Sequence, residues 1–230
     1  MTPRMRTHRA HVRAVLFDFD GTLLPSLPLW MQGYHIAVRH FGLSLSDEEV
    51  RLRCFFRDWA EVAADLNVCT AQELELRVTA GVQQAFAEAM LFPLAKSLIE
   101  HCRWHGLQTA LVTSSPRGIV NQAMGRLDLA GRFDFIICGD DVKNYKPHPE
   151  PLLTTLAALQ RIPSEAIMVG DSHVDILAGK AAGTRTALFL PENHGGFHDV
   201  EKLRATEPDH IFVDHCELPA LLGLPELAVG

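Results

Sequence analysis

The sequence has no CxxC pair, no apolar run long enough to cross a bilayer and no excess of basic residues. Its five cysteines (Cys54, Cys69, Cys102, Cys138, Cys216) are odd in number and widely spaced, which argues against a disulfide framework and a zinc site. They are expected to act as small buried packing residues, suited to a reducing cytosol. Lys and Arg number 21 against 28 Asp and Glu, a formal charge of -7, so the surface as a whole repels nucleic acid and anionic membranes, and any phosphate binding has to be local. The basic opening stretch with Arg4, Arg6, Arg9 and Arg13 runs into Ala14-Val15-Leu16-Phe17, an apolar run too short for a signal peptide or a membrane span. It reads as a frayed tail on a soluble, cytoplasmic protein with no nucleic-acid or membrane partner. Repeats and low-complexity runs are missing as well, and without a coiled-coil pattern the oligomeric state stays open.

What the 230 residues do contain is 47% apolar and 21% charged side chains, the balance of an ordinary globular protein with room for one large domain or a core plus an insert. Short apolar, β-rich runs recur at Ala14 to Phe17, Thr109 to Thr113, Phe133 to Cys138, Ala166 to Gly170, Thr186 to Leu190 and His210 to Val213. Helical segments such as Leu94 to Trp104 and Pro151 to Leu159 fall between them, and this alternation predicts a parallel sheet covered on both faces. Pro25 to Leu91 breaks the pattern: its period is helical throughout and reads as three helices. Ser46 with Glu49 and Thr70 with Glu73 are capping boxes. Val50, Phe55, Trp59, Val62 and Leu66, then Leu76, Val82, Phe86 and Met90, supply its apolar face. The expected fold class is therefore α/β, with an all-helical insert of residues 25–91 placed after the first strand of a core made from 1–24 and 92–230.

The strongest chemical signal is Phe17-Asp18-Phe19-Asp20-Gly21-Thr22-Leu23 at the end of the first strand. Carboxylates flanking a buried Phe belong at the carboxyl end of a strand, where open α/β sheets bind ligands. Two carboxylates so close together bind a hard cation or divide into an acid and a base. This D-x-D-G-T-L string resembles the first motif of the haloacid dehalogenase superfamily of phosphotransferases, whose core is a three-layer, Rossmann-like sandwich. The resemblance implies that Asp18 attacks phosphorus and Asp20 is the general acid and base.

The superfamily's other motifs occur in order. Thr113 closes Ala110-Leu111-Val112 and would donate to a phosphoryl oxygen, with the Ser114 amide as a second donor. Lys146 in Lys146-Pro147-His148-Pro149 matches the third motif and would offset the gathered negative charge. Asp171 and Asp175 in Gly170-Asp171-Ser172-His173-Val174-Asp175 match the fourth. By resemblance the cofactor is Mg²⁺, held by Asp18, the Asp20 main-chain carbonyl and Asp171, with Asp175 reaching it through water or fixing Lys146. The activity implied is hydrolysis of a small phosphorylated metabolite through an aspartyl phosphate, with the insert as a cap.

Insert position and the K-P-x-P string are similar to the branch containing phosphoglycolate phosphatase and β-phosphoglucomutase, although Pro25-Ser26 stands where many members carry Asp-Ser. Trp30, Tyr34, His35, Arg53, Arg57 and Trp59 are the cap's candidates for substrate contact. A phosphomutase, and from another class a binding protein on the same scaffold, are the alternatives. Ser172, His173 and Asp175 lie too close in sequence to converge as a hydrolase triad, so His173 reads as a partly exposed helix residue. His194, Gly195, Gly196 and His198 read as a solvated loop after a late strand, with metal binding as the alternative reading.

Overall fold

The computed structural model describes residues 11–86 and 88–227. Six strands, β1 (Ala14–Phe17), β2 (Gln108–Val112), β3 (Phe135–Ile137), β4 (Ala166–Gly170), β5 (Arg185–Phe189) and β6 (His210–Phe212), form one sheet in the order β3-β2-β1-β4-β5-β6. Every neighbouring pair is parallel. β1 is buried at all four positions, as its unbroken apolar run requires when helices cover both faces.

Alternation along the strands separates those faces. Val15, Phe17, Leu111 and Val169 pack with Leu98 and Ile99 of α5 (Ala95–Trp104) and with Val120 and Ala123 of α6 (Arg117–Arg126). Ala14, Leu16, Ala110, Val112 and Met168 pack instead with Leu152 and Leu156 of α7 (Glu150–Ala158) and Ala178 and Ala182 of α8 (His173–Ala182). The result is the expected three-layer core. Short helices α9 (Val200–Ala205) and α10 (Leu218–Leu222) complete it.

The insertion after β1 is all-helical, but it holds four helices where three were expected: α1 (Leu27–His40), α2 (Asp47–Cys54), α3 (Trp59–Leu66) and α4 (Ala71–Phe86). The expected run from Val50 to Leu66 is broken because Phe55 is extended and Phe56 takes a positive φ of 57°. Asp58 then starts α3 with a capping box to Glu61, the same chemistry as Ser46 with Glu49 and Thr70 with Glu73 but with a carboxylate as the cap. The buried face of α4 also differs. Leu74, Val78, Val82 and Phe86 face inward, whereas Leu76 is exposed and Met90 lies beyond the helix, also exposed. Gly33 lets α1 approach α4, since a Cβ there would stand 2.3 Å from a methyl of Val82.

Two expectations about single residues change. Arg13 is anchored, with its amide on the Glu165 carbonyl at 2.7 Å and its guanidinium 3.4 Å from the Glu165 carboxylate. Arg4, Arg6 and Arg9 lie outside the described residues. Cys54, Cys102 and Cys138 are buried as expected, and burial pushes their thiols up to about 12, but Cys216 is exposed. No helix among the described residues is long and apolar enough to cross a membrane.

Leu98 is fully buried between α5 and the sheet, so Leu98→Ala is expected to lower the unfolding free energy by about 2–5 kcal/mol in urea titrations.

Candidate active site

The strand order reverses direction between β1 and β4, and in open α/β sheets the crevice beyond the carboxyl ends of such strands takes the ligand. Asp18 leaves β1 with its amide bonded to the Val169 carbonyl at 2.8 Å. Asp171 follows β4, and Thr113 follows β2 with its amide on Ile137 at 3.1 Å. Sheet register thus sets three distant segments side by side.

Lys146 ties them together. Its ammonium donates to Asp18 Oδ1 at 2.7 Å, Asp175 Oδ1 at 2.6 Å and the Val112 carbonyl at 2.9 Å, which uses all its protons. Burial opposes the charged amine, but Asp175 and Asp18 outweigh burial and raise its pKa above the ordinary lysine value. The other oxygen of Asp175 accepts from the Ser172 amide at 3.1 Å and hydroxyl at 2.5 Å. Asp175 is therefore both the partner of Lys146 and the capping-box carboxylate of α8, whose N-cap is Ser172.

One lysine cannot match three buried carboxylates. Asp18, Asp171 and Asp175 each place an oxygen within 4.8 Å of the others. Burial raises the pKa of Asp18 well above the usual carboxylate range, with Lys146 pulling the other way. Asp171 is raised by burial and then by Asp175. An all-oxygen donor set with surplus negative charge fits a hard divalent cation. Gly21 is what lets the first loop reach it: with φ of 78°, a Cβ there would sit 2.0 Å from Asp171 Oδ2.

Asp20 points elsewhere. Its carboxylate accepts from Ser26 Oγ at 2.6 Å, Trp30 Nε1 at 2.7 Å and Ser115 Oγ at 2.5 Å, so the start of the cap and the end of β2 both hold it. Asp18, Asp20, Thr113, Ser114, Lys146 and Asp171 line one cavity of about 130 Å³. Of the cap candidates, Trp30, Tyr34, Arg57 and Trp59 line it too. His35 pairs with Asp47 at 2.7 Å and Arg53 with Asp65 at 2.9 Å. Phe55, Phe56, Asp58 and Tyr145 are among the further lining residues, and the sequence did not point to them as such.

The loop expected to be solvated is instead folded inward. His194 and His198 are 4% and 5% exposed, and His198 Nε2 lies 3.0 Å from Asp171 Oδ2. Their separation of four residues near a late strand was the readable signal. His173 is half-buried at the start of α8.

Fold and site together define a doubly wound α/β enzyme with its carboxylates at the switch point. A family model for haloacid dehalogenase-like hydrolases matches residues 15–189. The chain is 32% identical to the phosphoglycolate phosphatase of Salmonella typhimurium, over 94% of each protein. It is 30% identical to the pyrophosphatase PpaX of Bacillus velezensis, over 93% of this chain and 97% of that one. Among solved structures it resembles CbbY from Rhodobacter sphaeroides in complex with phosphate, with a TM-score of 0.79 and 23% identity over 93% of this chain and all of that one. The chain belongs to the haloacid dehalogenase-like hydrolases. Within them it is a phosphatase of the phosphoglycolate phosphatase-like branch, acting on a small phosphorylated substrate.

Two outcomes follow from this geometry. Gly21→Ala is expected to lose at least about 1 kcal/mol of stability and roughly 10²-fold in turnover of a phosphate monoester, read by thermal melts and steady-state kinetics. His215, buried with its Nε2 3.0 Å from the Thr22 carbonyl, is held neutral mainly by burial, its pKa lowered from 6.5 to about 4. Below pH 6.5 the unfolded chain takes a proton that the buried ring refuses, so this residue makes stability fall as pH drops from 6.5 toward 4. His215→Asn should reduce that loss by on the order of 2 kcal/mol in melts across this range.

Proposed function

We propose that the protein hydrolyses a small phosphorylated acid or sugar, of the phosphoglycolate or sugar-phosphate type, through an aspartyl phosphate on Asp18. The observation that carries the reading is the meeting of Asp18 with Lys146 and Asp171 at the switch point, on one cavity wall with Thr113 and Ser114. Full-length similarity to a phosphoglycolate phosphatase supports this substrate class.

Asp18 attacks phosphorus in line, Lys146 offsets negative charge on the nucleophile and the phosphoryl group, and the Thr113 hydroxyl donates to a phosphoryl oxygen. Asp20 protonates the leaving oxygen and then takes a proton from the water that cleaves the aspartyl phosphate. Oδ1 of Asp20 accepts two bonds and Oδ2 one, which leaves Oδ2 a lone pair to carry the proton. Asp18, the Asp20 carbonyl and Asp171 would hold Mg²⁺, and Asp175 acts by fixing Lys146. Bound there, the ion offsets the negative charge of nucleophile and phosphate.

In this reading the described residues of 25–91 are the cap, and those of 1–24 and 92–230 are the core. Arg57, held by the carbonyls of Arg53 at 2.8 Å and Glu61 at 3.3 Å and paired with Asp65 at 3.5 Å, is the cap's cationic side chain on the cavity wall, next to Asp58. It suits a second anionic or hydroxyl-rich end of a small substrate, and the aromatic wall of Trp30, Tyr34 and Trp59 limits its size.

The test is a panel of phosphorylated metabolites with Mg²⁺, including pyrophosphate and β-glucose 1-phosphate with a bisphosphate primer. Release of inorganic phosphate from the small acids or sugar phosphates is expected. Conversion of glucose 1-phosphate to its 6-phosphate would instead make the protein a mutase. Asp18→Asn should lower turnover by roughly 10⁴-fold or more with the fold intact by circular dichroism, and Asp20→Asn by roughly 10²–10⁴-fold. EDTA should abolish turnover and Mg²⁺ restore it; full activity in EDTA would overturn the assignment.

A further inference from the structure

Beside the carboxylate cluster lies a second donor set of different chemistry. His194 Nδ1 is 3.7 Å and His198 Nε2 3.0 Å from the same oxygen, Asp171 Oδ2, and the three atoms all lie within 4.8 Å of one another. His198 Nε2 has that carboxylate as a partner, but His194 Nδ1 is buried without a hydrogen bond. A buried polar atom left unpaired is disfavoured by about 1–3 kcal/mol, so His194 Nδ1 calls for a partner such as an ion or a water.

Both rings are locked in place. His194 sits edge-on to Phe92 and Phe189, with centroids 5.5 and 5.9 Å away, and His198 stacks on Phe56 of the cap at 4.8 Å. A 3-10 segment, Glu192–Gly196, brings them together after β5. The proton that His198 Nε2 shares with Asp171 Oδ2 at 3.0 Å is the one a bound cation would displace.

We propose that His194, His198 and Asp171 form a second divalent-cation site, selective for a borderline transition ion of the Zn²⁺ class. Two imidazole nitrogens and a carboxylate oxygen are the donors such ions prefer, whereas Mg²⁺ favours oxygen alone. Because the site uses Asp171, its occupancy competes for a group that the proposed reaction also needs. That last consequence rests on the functional reading above. The site itself does not.

The test uses Co²⁺ as a spectroscopic stand-in for Zn²⁺, added to the full chain in excess Mg²⁺. The expected result is one Co²⁺ per chain with visible ligand-field absorption, bleached by Zn²⁺. His194→Phe and His198→Asn should each weaken it by roughly 10-fold or more. His194→Phe keeps a ring against Phe92 and Phe189 and removes the orphaned nitrogen, so it should melt no lower than the parent protein and carries the test if His198→Asn fails to fold. No Co²⁺ binding in excess Mg²⁺, or binding equal in the parent and His194→Phe, overturns the site. Zn²⁺ should also inhibit the parent more than His194→Phe. Co²⁺ binding that leaves turnover unchanged supports the site and counts instead against Asp171 in the reaction.

Discussion

The buried ammonium of Lys146 is the interaction around which the active site is arranged. Its side chain is 3% exposed, and its partners Asp18 and Asp175 are 8% and 1% exposed. Charges so deeply placed persist only when paired and fully hydrogen-bonded. That requirement dictates much of the surroundings: β2 must end so that Val112 offers its carbonyl, α8 must begin where Asp175 turns inward, and β1 must deliver Asp18 between them.

Even so, the pairing is incomplete. Three carboxylates crowd one lysine, and burial raises both Asp18 and Asp171 above their ordinary range. A site that tolerates surplus negative charge at rest favours a cationic visitor and resists an unaccompanied phosphate, so cation binding and phosphate binding are linked by electrostatics alone. The two histidines on the far side of Asp171 add nitrogen donors to the same carboxylate without adding charge.

The cap is coupled to this centre by specific contacts. Ser26 and Trp30 hold Asp20, and Phe56 stacks on His198. Phe56 is also where the expected single helical run breaks, with positive φ in a non-glycine residue. The residue that interrupts the period is therefore one that meets the core. The break is hard to read in the sequence because a carboxylate, Asp58, caps α3 in place of Ser or Thr, and because Phe55 and Trp59 keep a helical spacing across the interruption.

The fold class and the ends of the strands were legible in the sequence because apolar runs, turns and carboxylates are local signals. β1 and β4 match the expected bounds and the other strands shift or shorten by one to a few residues, as frayed strand ends do. Asp18 and Asp171 could be singled out because carboxylates at a strand end stand out against an apolar background, and Lys146 because its Lys-Pro string resembles the family's third motif. Which carboxylate pairs with Lys146, which cap residues reach the cavity, and the inward turn of His194 and His198 depend on contacts across more than twenty residues of chain. Only packing decides such contacts. A histidine in a glycine-bearing loop reads as solvated until the tertiary structure supplies the aromatic rings that bury it and the carboxylate that it faces.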